Sequence, residues 1–464
     1  MKFIALGDTD DVAASCHYLQ IEGSGLVLDA GVDPRRDGQA SVPAFEVVHN
    51  DRDRYIDHAL ITHAHHDHIG ALPVLIDQFP HVNAHMTDAT KQLIEFLLPA
   101  SARLQRRRVE QGETDAEPLF SEDDLHFHSH MYLTHDLGEA FDVTGLAGTS
   151  EVQARFYTAG HILGSIGVEL SFQENGEERQ LFYTSDTNMQ PQSILPGADY
   201  PDETDILVLE STLGDDVEAE RTSRPEEVAR LKESLTTILE RGGTALIPVF
   251  VMGRAQETLA ILGAMKDQGE IDDDVPIYTA GSLRAISDLY DQTRLSTPRL
   301  DPDFRVFDVN QKRVPRSSDG KDDAFDGPCI CVVSSGMMFE PTLSNVLARR
   351  MVENERDGIL LVGYAKEDTP ADRLLQAKER GPGSGVLLHP ERGPQPLRCM
   401  VEKFRLTGHS NRRDLLAIAR NLDPEHVILV HGEPAAREWM AKNIHSQMPH
   451  VEIHVPDGQE VVTV

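Results

Sequence analysis

The chain has 464 residues, 40% of them apolar, and a formal net charge of −34. This length exceeds what one hydrophobic core normally supports, so we expect two globular domains. No apolar run approaches the ~18 residues of a membrane helix, so we expect no membrane span. Residues 1–7 are predicted to form a first strand rather than a signal peptide. The four cysteines are scattered, and we interpret them as reduced thiols of a cytoplasmic protein.

The acidic excess is most simply a solvated surface. Arginine outnumbers lysine and acidic residues fill the loops. This pattern favours a halophilic source, because at 1 M salt the Debye length falls to ~3 Å and self-repulsion is screened. The same charge repels nucleic acid, so any nucleic-acid site is expected to be a local basic patch.

The first 200 residues alternate strand-like runs with turn signals, which is typical of an antiparallel or mixed sheet. The predicted helices here are Ile69–Gln78 and Thr87–Arg106. The predicted strands are Ser15–Glu22, Leu26–Asp29, Tyr55–Thr62, Val152–Thr158, Gly167–Phe172 and Arg179–Ser185, the last two joined by a hairpin turn at Glu174-Asn175-Gly176.

The middle third changes to a parallel α/β pattern. Ser223 and Glu226 form a predicted capping box at the start of an amphipathic helix. Strand, helix and strand then follow at the spacing of a βαβ unit, and the Pro-, Asp- and Gly-rich stretch 296–327 is predicted to be mostly loop. The segments concerned are Thr244–Val251, Ala255–Met265 and Pro276–Thr279, with further strands at Ile330–Val333 and Gly358–Val362.

The last 60 residues return to the first pattern. The predicted strands are Phe404–Thr407 and Val427–Val430, and the predicted helices are Leu415–Leu422 and Ala435–Asn443. A terminal hairpin is predicted over Val451–Val464, around Asp457-Gly458.

The strongest chemical signal is a run of histidines directly after a predicted strand. His63, His65, Asp67 and His68 fall within six positions. Imidazole and carboxylate are the ligands that Zn²⁺ prefers, and the spacing suits two adjacent ions. His63 and His65 share one direction, whereas Asp67 and His68 turn at the helix start. A histidine-rich surface loop is the alternative, but it gives no reason for this strand–loop–helix placement.

Two coordination spheres need more ligands, and the chain places candidates at other strand ends. His161 follows Val152–Thr158, Asp186 follows Leu181–Ser185, and His431 follows Val427–Val430. A carboxylate at Asp186 could bridge both ions. Asp29, at the end of Leu26–Leu28, is a candidate to orient the ligand loop. Five histidines lack this placement and are predicted not to be ligands: His17, His58, His66, His81 and His85.

With these residues the chain resembles the metallo-β-lactamase superfamily and, within it, the β-CASP nucleases. The superfamily motifs match Asp29, the run from His63 to His68, His161 and Asp186. The β-CASP motifs match Glu210, His409 and His431, each in its expected order. The chain is most similar to stand-alone archaeal and bacterial relatives of the cleavage and polyadenylation specificity factor nuclease.

The resemblance implies an α/β fold: a metallo-β-lactamase αββα sandwich with an inserted β-CASP domain, a parallel sheet flanked by helices. It places the sandwich in residues 1–210 and 399–464 and the insertion in residues 211–398. It also implies two Zn²⁺ ions, with Mn²⁺ as the alternative metal, and it leaves room for a homodimer.

The resemblance assigns a role to each motif residue. The first ion is held by His63, His65 and His161, and the second by Asp67, His68 and His431. Asp186 bridges them, so Asp67 and Asp186 count among the catalytic residues. His409 protonates the leaving oxygen or stabilises the developing charge, and Glu210 holds its imidazole. The alternative for Glu210 and His409 is a structural ion pair.

Further features concern the substrate. In this family a histidine at the last motif, here His431, goes with RNA. The stretch Ser335, Gly336 and Met337 resembles the loop that contacts phosphate, and Arg412, near His409, is predicted to line a phosphate groove. The sequence therefore predicts a two-metal ribonuclease, acting as an endonuclease, a 5′–3′ exonuclease or both.

Two other functions stay open at this point. One is a small-molecule hydrolase on the same fold, such as a lactonase or thioesterase, against which the large insertion argues. The other is a catalytically inactive RNA-processing scaffold, against which the complete ligand set argues.

Overall fold

The computed structural model describes residues 1–7, 13–315, 327–363 and 365–464. Strands and helices are numbered along the chain. The strands are β1 Lys2–Ala5, β2 His17–Ile21, β3 Ser24–Leu28, β4 His58–Leu60, β5 Asn83–Met86, β6 Tyr132–Thr134, β7 Ala140–Asp142, β8 Val152–Thr158, β9 Ile166–Glu174, β10 Glu177–Tyr183, β11 Ile206–Glu210, β12 Thr244–Pro248, β13 Ile277–Thr279, β14 Gln311–Arg313, β15 Cys329–Val333, β16 Gly358–Val362, β17 Gly385–Val386, β18 Gln395–Pro396, β19 Met400–Phe404, β20 His426–Val430, β21 Glu452–His454 and β22 Val461–Thr463.

The helices are α1 Glu46–His49, α2 His66–Ile69, α3 Leu72–Gln78, α4 Asp88–Glu110, α5 Glu122–His128, α6 Arg224–Glu240, α7 Arg254–Asp267, α8 Ser282–Gln292, α9 Leu343–Met351, α10 Pro370–Arg380, α11 Arg412–Leu422 and α12 Pro434–Gln447. Among the described residues, none of them combines the length and the apolar character that a membrane crossing requires.

The described chain divides into two compact units. The first contains residues 1–191, 197–220 and 409–464, and the second contains residues 192–196 and 221–408. These boundaries lie about ten residues beyond the 210/211 and 398/399 positions expected from the sequence. Glu257 explains why residues 192–196 belong to the second unit, since its carboxylate accepts hydrogen bonds from the backbone amides of Ser193 and Ile194.

The first unit is a sandwich of two seven-stranded sheets. One sheet has the order β22-β1-β2-β3-β4-β5-β6, and the other has the order β21-β20-β11-β10-β9-β8-β7. Alternating residues from both sheets, among them Leu19, Leu28, Phe156, Val168 and Val208, form one buried core between them. The αββα sandwich is therefore confirmed.

Helices cover the outer faces of this sandwich. On the second sheet, Leu207 and Leu209 pack against Leu415 and Ile418 of α11 and Met440 of α12. The outer faces of β11 and β20 are consequently as buried as their inner faces. Their carboxyl ends, where Glu210 and His431 lie, open at one edge.

The second unit contains a six-stranded sheet with the order β14-β13-β15-β12-β16-β19, in which every pairing is parallel. Helices α9 and α10 bury Leu347 and Leu374 against its central strands. The predicted capping box is confirmed at α6, where the Ser223 hydroxyl accepts from the Glu226 amide and the Glu226 carboxylate accepts from the Ser223 amide. The inserted parallel α/β domain is confirmed.

Two predicted elements differ from the structure, and one segment predicted to be mostly loop contains a short strand. The predicted strand at 404–407 is β19, Met400–Phe404, which pairs with β16 of the second unit. The predicted terminal hairpin is wrong, because β21 pairs with β20 and β22 pairs with β1, in two different sheets. Within the predicted loop 296–327, β14 extends the parallel sheet, and residues 316–326 lie outside the described residues. Sequence periodicity predicts that a strand forms but not which strand it pairs with. The strands concerned here, β14, β19, β21 and β22, each lie at the edge of a sheet.

All four cysteines are buried and none forms a disulfide, as expected for thiols: Cys16, Cys329, Cys331 and Cys399.

Candidate metal centre

The histidine run lies between β4 and the first turn of α2. His65 has an extended backbone (φ −69°, ψ 148°) immediately before the helix, whereas Asp67 and His68 lie in its first turn. The change from extended to helical backbone points His63 and His65 in one direction and Asp67 and His68 in another. This is the local geometry that the spacing predicted.

The first group consists of His63, His65, His161 and Asp186, whose ligand atoms all lie within 4.8 Å of one another. His65 Nδ1 is 3.1 Å from both His63 Nε2 and His161 Nε2. Ligand atoms around a tetrahedral zinc ion lie about 3.3 Å apart, because each bond is about 2.0–2.1 Å long. The imidazoles are thus spaced as zinc ligands are.

The second group consists of Asp67, His68 and His431, again within 4.8 Å. His431 Nε2 is 3.6 Å from Asp67 Oδ2, and His68 Nε2 is 3.5 Å from Asp186 Oδ1. The structure therefore brings together all seven predicted ligands from four separate segments.

Three buried atoms of this site lack a hydrogen-bond partner in the described part of the chain. They are Nε2 of His68, Nε2 of His431 and Oδ1 of Asp186. Leaving a buried polar atom unpaired costs about 1–3 kcal/mol, so such atoms need an explanation. A divalent cation supplies one, and these residues fit it.

Asp186 lies between the two groups. Its Oδ2 is 3.7 Å from His63 Nε2 and 3.6 Å from His161 Nε2, whereas its Oδ1 faces His68 Nε2 and lies 3.0 Å from His431 Nδ1. One oxygen therefore faces each group, which is the arrangement of a bridging carboxylate.

Asp29 supports the ligands from behind. Its fully buried carboxylate accepts hydrogen bonds from the Thr62 amide (2.8 Å) and hydroxyl, and it accepts a bond from the Tyr183 hydroxyl (3.1 Å). His68 Nδ1 lies 2.9 Å from Asp29 Oδ2. A proton on Nδ1 would leave Nε2 unprotonated, so this contact favours the tautomer that a metal ligand needs.

His409 and Glu210 form a third group with Asp186. His409 Nδ1 lies 3.2 Å from both carboxylate oxygens of Glu210, and its Nε2 lies 4.0 Å from Asp186 Oδ2. Glu210 is completely buried and also accepts a 2.8 Å hydrogen bond from the Thr187 amide. The imidazole is consequently held by one nitrogen and presents the other to the site.

The electrostatics of the cluster favour metal-binding protonation states. Burial lowers the pKa of His63 well below its usual value and that of His65 to about 4, so both rings are neutral at pH 7. Burial alone would raise the pKa of Asp186, but the neighbouring imidazoles, His431 first, lower it. For His68, the carboxylates of Asp186 and Asp29 outweigh burial and raise the pKa. This position attracts positive charge, and metal binding would release that proton.

Sequence reasoning missed two hydroxyls. The Tyr183 hydroxyl, three residues before Asp186, bonds to Asp29, and Thr212 Oγ1 lies 3.1 Å from His431 Nδ1. Both residues lie close to motif residues in the sequence, which could have indicated a role. Their bonding partners, however, lie 154 and 219 residues away along the chain.

His17, predicted not to be a ligand, is buried beside the site. Its ring stacks on Phe3 at 5.3 Å and meets Tyr183 edge-on at 5.8 Å, and neither nitrogen has a partner among the described residues. Burial, with smaller effects of His431 and His68, lowers the pKa of His17 to about 3.

We predict that His17→Phe raises the free energy of unfolding by about 1 kcal/mol at pH 7.5, because two unpaired buried nitrogens are removed. The gain should increase by about another 1 kcal/mol at pH 5.5. The pKa of His17 is lower in the folded wild type than in its unfolded state. The wild-type protein therefore loses stability as the pH falls from the unfolded value of 6.5 towards 3, whereas the phenylalanine variant does not. Denaturant titration of both proteins measures this. A pH-independent difference would contradict it.

Arg412 contacts other side chains of the first unit, and its role in a phosphate groove stays a prediction. Its guanidinium stacks over Trp439 at 4.3 Å, and its Nε donates a 2.6 Å hydrogen bond to Glu220. The side chain is only 10% exposed, compared with 69% for Arg413. Arg412 is thus neutralised within the fold, which argues against a direct phosphate contact. Sequence could not separate the two arginines, because helix packing decides which of them is buried.

The predicted phosphate loop lies in the second unit, at the carboxyl end of β15. Gly336 is buried, and a Cβ added there would lie 3.1 Å from the Phe250 ring and amide. The Ser335 carbonyl accepts a hydrogen bond from the Ser344 hydroxyl. The loop therefore stands beside the turn that follows β12, and phosphate contact by Ser335, Gly336 and Met337 stays a prediction.

Three family models match the chain in order. They are the metallo-beta-lactamase superfamily (residues 9–151), the Beta-Casp domain (residues 255–374) and the Zn-dependent metallo-hydrolase RNA specificity domain (residues 394–456). Together they match most of the chain, and residues 152–254 lie between the first two matches.

Curated relatives match over almost the whole chain. Endoribonuclease ysh-1 of Neurospora crassa is 31% identical over 93% of this chain and 52% of its own length. Cleavage and polyadenylation specificity factor 73 of Drosophila melanogaster is 31% identical over 92% and 59%, and Endoribonuclease YSH1 of Saccharomyces cerevisiae is 29% identical over 93% and 54%. The chain thus spans between about half and three fifths of these relatives.

Among solved structures, a protein of unknown function from Enterococcus faecalis V583 covers 100% of this chain and 99% of its own at a TM-score of 0.55 and 11% identity, which shows a shared fold alone. The order of the domain matches and the similarity over more than nine tenths of this chain agree with the motifs that the structure brings together. The chain belongs to the β-CASP family of the metallo-β-lactamase superfamily.

Proposed function

We propose that this chain is a two-metal ribonuclease that hydrolyses RNA phosphodiester bonds in RNA processing or decay. The observation that carries the proposal is the position of Asp186. Each of its carboxylate oxygens faces a different group of histidines, and His409 lies beside it. Zn²⁺ is the expected metal at both groups, with Mn²⁺ as the alternative, because the donors are imidazoles and carboxylates.

The residues divide into ligands and a proton donor. His63, His65 and His161 would hold one ion, Asp67, His68 and His431 the other, and Asp186 both. When bound, such a metal pair activates water and neutralises the charge that builds on the phosphate. The protein positions this chemistry: Asp29 orients His68, and buried Glu210 orients His409.

His409 acts on the leaving group. Glu210 accepts from Nδ1–H, so the proton that can be transferred is on Nε2, which faces the site. In its charged form the ring donates that proton to the departing ribose oxygen and returns to the neutral Nδ1–H tautomer. Glu210 stabilises both forms, because its carboxylate faces a donor in each.

RNA is the favoured substrate for two reasons. The matched C-terminal model is described as an RNA specificity domain, and the relatives are named endoribonucleases. Endonucleolytic cleavage is therefore proposed ahead of 5′–3′ exonucleolytic cleavage. The inactive scaffold is disfavoured, because all seven ligands are present and converge, and the small-molecule hydrolase is disfavoured by the family assignment.

Another candidate for phosphate contact is the basic run at residues 106–108. Arg106 and Arg108 of the Arg106-Arg107-Arg108 cluster pair with Glu110, Glu122, Asp37 and Glu113. Arg413 also has its Nε 3.5 Å from Glu220, but it is 69% exposed and is therefore a better candidate than Arg412 for contact with phosphate near His409.

The test is a cleavage assay with purified protein and 5′-labelled RNA that carries either a monophosphate or a triphosphate. We expect internal cleavage of both substrates, loss of activity with a chelator and recovery with Zn²⁺ or Mn²⁺. Metal content by mass spectrometry and mass by light scattering accompany it, since a homodimer is part of the proposal. Activity unaffected by chelation would refute the metal-dependent mechanism.

We also propose a salt-rich cytoplasm as the working environment, from the net charge of −34 and the four buried thiols. The thermal midpoint should rise by several degrees between 0.1 M and 2 M KCl, because salt screens repulsion among surface carboxylates. Circular dichroism melting curves measure this. A midpoint that stays constant or falls with KCl would rule out salt adaptation.

A further inference from the structure

A separate cluster of potential ligands lies at the edge of the second sheet of the sandwich. Strands β20 and β21 are parallel, with His426 opposite Glu452 and Ile428 opposite His454. Because residues two apart in a strand share a face, Glu452 and His454 lie on the same face as His426. The pairing of two short strands therefore places two imidazoles and a carboxylate together.

Their ligand atoms converge. His426 Nδ1 lies 3.3 Å from His454 Nε2, Glu452 Oε2 lies 3.7 Å from His426 Nδ1, and Glu452 Oε1 lies 4.0 Å from His454 Nε2. The nitrogen–nitrogen distance equals the ~3.3 Å edge of a tetrahedral zinc site. The imidazoles of the metal centre are spaced similarly, at 3.1 Å.

A hydrogen-bonded histidine chain elsewhere shows what the alternative looks like. In it, His85 uses both nitrogens, with 2.9 Å to His58 Nδ1 and 2.9 Å to His135 Nε2. Because the central ring uses its two nitrogens on opposite sides, the three rings cannot direct one nitrogen each towards a single ion. In the cluster of His426, Glu452 and His454, by contrast, one atom from each residue lies within 4.8 Å of the others.

The environment suits an exchangeable ion. The side chains of His426 and His454 are 19% and 14% exposed, whereas Glu452 is 68% exposed. Solvent reaches the carboxylate side, so water can complete a four-coordinate shell.

We propose that His426, Glu452 and His454 form a third metal site, which binds one Zn²⁺ or a similar divalent cation with water as the fourth ligand. It is distinct from the metal centre. His426 begins β20 and His431 follows its carboxyl end, so the two are about 16 Å apart along an extended strand. An ion here cross-links edge strand β21 to β20 and stabilises the sandwich without participating in catalysis.

Metal counting on the full chain tests the site. Equilibrium dialysis against excess Zn²⁺ followed by elemental analysis should find one ion fewer per chain in His454→Ala than in the wild type. This difference of one does not depend on how many ions the metal centre holds, so it is independent of the proposed ribonuclease function. Equal numbers in the two proteins would overturn the third site.

Glu452→Gln and His450→Ala make the test specific. Glu452 is exposed, so its substitution leaves folding intact and should raise the dissociation constant of the weakest zinc site at least tenfold. His450 is an exposed histidine whose ring contacts Asp423. Its alanine variant is the control and should match the wild type. Zinc should raise the thermal midpoint of the wild type more than that of His454→Ala, while RNA cleavage stays unchanged in both. Equal zinc affinity in Glu452→Gln and wild type would also refute the site.

Discussion

His409→Ala is expected to lower kcat for RNA cleavage by about 10²–10⁴-fold, which is the usual contribution of a positioned general acid. The metal content should not change, because His409 Nε2 is 4.0 Å from Asp186 and its Nδ1 is engaged by Glu210. Single-turnover kinetics combined with elemental analysis measure both quantities.

Glu210→Gln and His450→Ala are the companions of this variant. Glu210→Gln keeps the shape but removes the charge that stabilises the imidazolium, so the alkaline limb of the pH–rate profile, where the general acid loses its proton, should move to lower pH. His450→Ala removes an exposed histidine whose ring contacts Asp423, and it should behave as wild type. Wild-type turnover by His409→Ala would show that the pair of Glu210 and His409 is only structural.

Asp186→Asn is expected to abolish activity, by on the order of 10³-fold or more, together with most of the bound metal. A neutral amide cannot offer one anionic oxygen to each histidine group. It would also leave His68, His431 and His409 without the carboxylate that they surround. Elemental analysis of the purified variant and RNA cleavage at saturating Zn²⁺ check the two effects.

Asp199→Asn is the matched control for Asp186→Asn. Asp199 is exposed, and its backbone amide rather than its side chain bonds to Thr158. It should retain full metal and full activity. If Asp186→Asn kept both ions, Asp186 would not be the bridge and the two groups would have to bind metal independently.

Much of the metal centre was predictable because its ligands follow strands. His63, His161, Asp186 and His431 each come directly after a run whose apolar pattern identifies a strand. Parallel neighbours such as β10, β11 and β20 end at one edge of their sheet, so residues after them converge. The family resemblance added Glu210 and His409, which no local pattern singles out.

The sequence alone therefore determined the two kinds of α/β domain, the order of the motifs and the chemical character of the site. These depend on periodicity and on residue types within about ten positions of each other, which a linear pattern retains. The strands that pair across long separations were not determined. β19 pairs with β16 of the parallel sheet, β21 pairs with β20, and β22 pairs with β1. An edge strand pairs with whichever strand the packed core leaves unpaired.

Only the tertiary structure decided which polar atoms meet. It placed Tyr183 on Asp29, buried Arg412 against Trp439 and Glu220, and set His426 beside His454. Each contact joins residues between 27 and 192 positions apart. Hydrogen bonds and ion pairs act over a few ångströms, so their partners follow from packing and not from neighbourhood in the chain.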